Sequence, residues 1–127
     1  MPNPKTKKPT KEWLDQIANP DLGRTDNYIG GNWQASASGK SLDVFDPSTD
    51  AFLIQVADSD AADARAAVDA ASAAFPTWRA TSVHARAQLL KKWRSLLEAN
   101  QEDLAMLMVR EMGKPINEAR GVVAYFA

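Results

Sequence analysis

Residues 111–127 read "EMGKPINEARGVVAYFA", and this stretch decides how the whole chain is read. Gly113 fits the left-handed residue that ends a helix. Pro115 fits the first position of the next one, where a missing amide costs nothing. "EMGKP" is therefore a stop, a turn and a start. Beyond it, Ile116, Ala119, Val123 and Phe126 recur at spacings of three and four, one apolar helical face. That face is still building in the apolar run "VVAYFA", where a closing helix would show a Gly or Asn and a polar tail. The expectation is a helix without its packing partner, hence a piece of a longer fold.

Upstream, the pattern stays helical back to Asp58. Asn100 is placed to cap a helix with Asp103 at the capping-box position, and Leu104, Leu107 and Met108 face inward. Met106, Met108 and Met112 read as core filling rather than an adaptable binding surface. Ser82 caps the preceding helix, whose inner face is Arg86, Leu90, Trp93 and Leu97. His84 lies in its first turn without a carboxylate or cysteine in view, so it reads as solvated. Before that, Asp60 and Asp63 have capping-box spacing, Ala64, Val68, Ala71, Phe75 and Trp78 form a stripe, and Pro76 is expected to close the helix.

The first half of the chain changes period. In "NYIGGNW", Gly30-Gly31 suits a tight hairpin turn between Tyr28-Ile29 and Trp33. A phosphate-cradling loop would need a helix N-terminus next, and polar "QASASGKS" follows instead. Leu42, Val44 and Phe45, the turn "DPST", and alternating Phe52, Ile54 and Val56 read as a second hairpin. "MPNPKTKKPT" reads as a solvated, disordered lead, since Glu12 and Asp15 follow its lysines at once. Thr10 then caps a short leader helix carrying Trp13, Leu14 and Ile17, which Asn19-Pro20 ends. Lys114 has no Gly-rich loop before it and no Ser or Thr after it, so it does not make a phosphate site.

Composition narrows the chemistry. At 127 residues, 45% hydrophobic and 24% charged, the chain has the make-up of an ordinary globular protein. A net charge of −1 argues against a nucleic-acid partner, and no stretch approaches the ~20 apolar residues of a membrane span. The absence of a secretory apolar segment leads to the expectation of a cytoplasmic address. With no cysteine and one histidine, a thiolate nucleophile, a disulfide and a thiolate or histidine-rich metal site are all excluded within these residues.

Taken as an ordered series, "YIGGNW", "DPSTDAFLIQVA", "AFPTWR", "RAQLLKKW", "NQEDLAMLMVREMGKP" and "INEAR" resemble the N-terminal quarter or so of the aldehyde dehydrogenase superfamily, across residues 26–127. The upstream "WLDQIANPDLGRTDNYIGG" makes the succinate-semialdehyde dehydrogenase branch the most similar. Four positions depart from that pattern. Asp46 stands where the family usually has Asn, and Asp50 where it commonly has Gly. Ala85 replaces a frequent Glu, and Val122 a frequent acidic residue.

The resemblance implies an α/β enzyme with a Rossmann-like cofactor domain, a catalytic domain and an oligomerisation hairpin. This chain alone would be mostly α-helical with a short antiparallel β-hairpin region. Residues 1–25 would be a disordered lead and leader helix, and residues 26–127 the N-terminal portion of the cofactor-binding domain. In the family a cysteine thiolate attacks the aldehyde, hydride passes to NAD or NADP, and a glutamate-activated water releases the acid. No catalytic, cofactor-binding or metal residue can be carried over onto this chain. NAD or NADP is expected in the full-length enzyme and not on this chain alone. The implied partners are an aldehyde substrate and further copies of the full-length enzyme in a homo-oligomer, with no nucleic acid, membrane or metal. The alternative is a non-enzymatic helical interaction module or remnant scaffold.

Overall fold

The computed structural model describes Leu14 and residues 16–127. The N-cap at Thr10 and the position of Trp13 lie outside the described residues. A short 3-10 turn (Pro20–Leu22) precedes two separate antiparallel hairpins, and four helices follow.

β1 (Asn27–Ile29) pairs with β2 (Asn32–Gln34), with Tyr28 opposite Trp33. Gly30 and Gly31 have φ of 60° and 85°, the two left-handed residues whose twist suits a two-residue hairpin. β3 (Ser41–Phe45) pairs with β4 (Phe52–Ala57), with an irregularity between Val44 and Phe45. Between them Asp46 organises the turn: its carboxylate accepts from the amide and hydroxyl of Ser48, and its carbonyl from the amide of Asp50. Asp50 carries a φ of 54°, unusual for a residue with a Cβ. The expected alternation of Phe52, Ile54 and Val56 does not set the buried face of β4: Leu53 is its buried residue, between half-buried Phe52 and Ile54.

α1 (Ala61–Ala80) begins in the expected capping box, with Asp60 and Asp63 each accepting from the other's end of the first turn. Pro76 does not close it. The helix runs through the proline and ends at Thr81, whose amide donates to the carbonyls of Thr77 and Trp78. A proline's fixed φ is helical; its cost is one missing donor and crowding of the carbonyl four residues earlier, and here the turn survives both. α2 (Val83–Ala99) is capped by the Ser82 hydroxyl, which accepts from the Ala85 amide.

α3 (Gln101–Met112) departs from the expected capping box. Asn100 is its N-cap residue but makes no side-chain capping bond. Its amide group donates back to the Leu96 carbonyl, and Asp103 is taken by the segment before Pro20. Gly113 ends α3 with φ 67° and ψ 20°, its amide donating to Val109. α4 (Ile116–Phe126) follows, with Pro115 one residue earlier than expected, as the N-cap rather than the first helical residue. α4 runs back antiparallel along α3: Gln101 donates to the Arg120 carbonyl, and Arg120 reaches Glu102. Ala105 and Ala119, both fully buried, and Val123 fill that seam, so small side chains let the two helices approach closely.

The larger buried cluster is Leu14, Ile17 and Leu53, with Leu22, Val44, Ile54, Met106 and Leu107 packed around it. The stripes of α1 and α2 do not reach it. Val68, Phe75 and Trp78 on α1 and Leu90 and Trp93 on α2 are all exposed, Trp93 by 58%. Among the described residues, nothing covers these faces.

Candidate functional site

Three polar nodes tie the elements together. The first joins the β3–β4 turn to α3. Asp46 is almost fully buried, and its second carboxylate oxygen accepts from Arg110 Nη1 at 3.3 Å. The Ser48 hydroxyl and amide, with Arg110 beyond them, hold this carboxyl below its ordinary range although burial pushes it up. Arg110 also donates to Gln16, which brings a third segment to the same place.

In the second node, Asp63 closes the α1 capping box and also accepts from the Ala37 amide at 2.8 Å and the Ser36 hydroxyl at 3.1 Å. Those donors, Ala37 and then Asp60 foremost, depress its carboxyl. One side chain thereby caps a helix and anchors the loop after β2. The third node is Glu102 with Arg120, 2.7 Å apart, which lowers the carboxyl and raises the guanidinium. Glu111 shifts upward, through partial burial alone.

Each carboxylate is committed to donors in a structural joint: Asp46 and Asp63 accept from backbone amides and serine hydroxyls, and Asp46 and Glu102 accept from arginines. Among the described residues no three His, Cys, Asp or Glu side chains gather as a metal site, and no helix is long and apolar enough to cross a membrane. His84 is exposed, with Gln88 at 3.5 Å. Lys114 pairs with Glu118 at 3.7 Å. The glycine pair turns β1 directly into β2, so no helix N-terminus follows it to receive a pyrophosphate. Tyr28, Ile29 and that glycine pair instead form a shallow apolar groove of ≈ 330 Å³ with Ala67, Ala70, Ala71 and Ala74 of α1. Beside it Trp33 lies 5.0 Å from Tyr28 and carries the Arg24 guanidinium 5.2 Å over its ring.

The remaining feature is the breadth of uncovered apolar surface on α1 and α2. Contiguous faces of this kind on a soluble chain mark places where other polypeptide packs.

Comparison with known proteins gives a consistent setting. The model of the aldehyde dehydrogenase family matches residues 33–127. A mitochondrial succinate-semialdehyde dehydrogenase from Homo sapiens is 44% identical over 106 residues, 84% of this chain and 19% of its own length. A glutarate-semialdehyde dehydrogenase from Pseudomonas aeruginosa is 39% identical over 112 residues, 88% of this chain and 23% of its own. The crystal structure of succinate-semialdehyde dehydrogenase from Burkholderia pseudomallei superposes with a TM-score of 0.83 at 42% identity, covering 86% of this chain and 23% of that one. The chain thus spans about a fifth of the length of the curated relatives it matches. The mitochondrial relative overturns the expectation of a cytoplasmic address. A missing apolar segment bears only on secretion, because mitochondrial leaders are amphipathic and Arg-rich.

Proposed function

The chain belongs to the aldehyde dehydrogenase family, and from that premise we propose that it is the N-terminal part of an NAD(P)-dependent enzyme oxidising a small semialdehyde to its acid. Succinate semialdehyde is the first candidate and glutarate semialdehyde the second. Within that enzyme, residues 26–127 are scaffold of the cofactor-binding domain, and the 127-residue chain alone is catalytically silent. It has no cysteine to serve as nucleophile. The observation that carries the scaffold role is the uncovered apolar surface of α1 and α2, where Phe75, Trp78 and Trp93 stand ready to be buried by further polypeptide. Homo-oligomerisation belongs to the same proposal for the whole enzyme.

The test is to isolate the native product from its source cells with an antibody raised against this chain. Its length is then determined, and NADH or NADPH formation is followed with succinate and glutarate semialdehydes. A product several times longer that turns over one of these substrates supports the reading. A longer product that oxidises no semialdehyde overturns the function, and a product of this length overturns the scaffold role. That second result would favour an interaction module using the same helix faces.

A further inference from the structure

Arg86 interrupts an apolar face. It shares one side of α2 with Leu90, Trp93 and Leu97, at successive spacings of four, three and four residues. Leu90 and Trp93 are 55% and 58% exposed, while Arg86 and Leu97 are half-buried. Arg94, Arg110 and Arg120 each have a carboxylate: Glu98 at 2.9 Å, Asp46 at 3.3 Å and Glu102 at 2.7 Å. Among the described residues the Arg86 guanidinium has no hydrogen-bond or ion-pair partner. The chain on either side of it cannot supply one. From Ala70 to Leu97 it carries Arg79, Arg86, Lys91, Lys92 and Arg94, and no aspartate or glutamate. Glu98, the next carboxylate along, is already taken by Arg94.

We infer that the polypeptide covering this face of α2 lies beyond residue 127 of the same protein and brings an aspartate or glutamate side chain onto Arg86. The inference rests on the proposed reading of the chain as the N-terminal part of a longer enzyme. A chain that spans 19% and 23% of two curated relatives leaves most of such an enzyme to do the covering. Burying Leu90 and Trp93 takes the neighbouring guanidinium out of water with them. A buried lysine or histidine can shed its proton, but arginine cannot, because its pKa stays above ~12. Its charge must be met by an opposite one, since an uncompensated buried charge outweighs the gain from two apolar side chains. A carboxylate suits the planar fork of the guanidinium, accepting two parallel hydrogen bonds. Arg79, Lys91 and Lys92 are exposed, and water meets their charge where they stand. The covering surface is therefore apolar with one carboxylate inside it. Any register that misses Arg86 leaves both charges unpaired, which selects a single docked arrangement.

The test compares the full-length gene product with the 127-residue chain. A dicarbonyl reagent that modifies accessible guanidinium groups is applied to both, and mass spectrometry reads the modified positions. Arg86 should react in the dilute 127-residue chain and at least about tenfold more slowly in the full-length product, the factor for one hydrogen bond to a charged group. Arg86→Lys then places an amine at the same point of the full-length protein, and carbodiimide coupling joins it directly to a carboxylate in contact. Mixing isotopically light and heavy protein separates links within a molecule from links between copies. A link from position 86 to an aspartate or glutamate beyond residue 127 of the same molecule supports the inference. Equal reactivity of Arg86 in the two proteins overturns it, as does a link only to a second copy. Protection of Arg86 with no link at all overturns the carboxylate. In a full-length product these failures leave the proposed function standing. A gene product of only 127 residues, read from its mass, overturns that function and this inference together.

Discussion

Replacing Gly113 with alanine separates two costs that the native structure imposes at one residue. Gly113 sits at φ 67°, where a residue with a Cβ loses about 1–2 kcal/mol, partly offset by about 0.4–1 kcal/mol because alanine has less freedom to lose on folding. The new Cβ would also lie 3.1 Å from Pro47 Cγ, well inside the ordinary carbon–carbon optimum of about 3.5–4.0 Å. Pro47 cannot swing away, because its ring is locked into the backbone of the turn that Asp46 organises. Overpacking of this kind costs about 1–3 kcal/mol, so Gly113→Ala should lose about 2–3 kcal/mol in all. Pro47→Ala deletes Cγ and should remove the contact part alone. The double variant should then recover about 1 kcal/mol relative to the sum of the singles. Urea unfolding followed by circular dichroism, at several protein concentrations to separate association from folding, reads all four proteins. A Gly113→Ala variant within about 0.5 kcal/mol of the parent would refute both the left-handed cap and the approach of the turn to it. A full loss with no coupling to Pro47 would refute the approach alone.

Asp50, a left-handed position filled by a residue with a Cβ, allows a matched comparison: Asp50→Gly should be neutral within about 0.5 kcal/mol, whereas Asp50→Val should cost about 2 kcal/mol. Equal losses in urea melts would mean that the turn abandons its positive φ. Asp46 sets an acid dependence. Its carboxyl is depressed in the folded chain, so its contribution is complete above the ordinary carboxylate value and is lost as pH falls through the lower folded value. Asp46→Asn should therefore be less stable at neutral pH and show a flatter decline on acidification, measured as unfolding midpoint against pH; parallel profiles would remove Asp46 as the cause. The apolar faces of α1 and α2 should drive self-association of the isolated chain at micromolar concentration, and Leu90→Lys with Trp93→Lys should reduce it. Light scattering coupled to size exclusion decides this, and a monodisperse parent monomer would count against uncovered faces.

Local chemistry made much of this fold legible. The two-glycine turn, the Asp60–Asp63 box, the Ser82 cap and the Gly113 stop each depend on residues within four positions of one another, and each stands where its residues place it. The misreadings have a common origin in distance along the chain. Asp103 has the spacing of a capping box, but its oxygens are taken by amides more than eighty residues earlier, which no local pattern announces. Asp63 was legible as a cap and not as the anchor of Ser36 and Ala37, for the same reason. Pro76 misleads differently: a proline argues for a boundary, but a helix already begun by a strong box can absorb one missing donor. The candidate site was least legible. The stripes on α1 and α2 announced apolar faces correctly, and periodicity carries no information about what lies opposite them.

The docking of Leu14–Asn19 onto α3 also orders events in time. Ala18 and Asp103 are 85 residues apart in the chain, and Gln16 and Arg110 are 94 apart. Synthesis at ~5–20 residues per second separates the appearance of the first pair by roughly 4–17 s. Helix turns form in microseconds or less, so α1 and α2 have the opportunity to wind long before Leu14 and Ile17 find their place. During that interval Leu14 and Ile17 lack the α3 wall that buries them. The entropy of closing so long a loop grows only logarithmically with its length. It is therefore the waiting, more than the closure, that leaves these two side chains in water during synthesis.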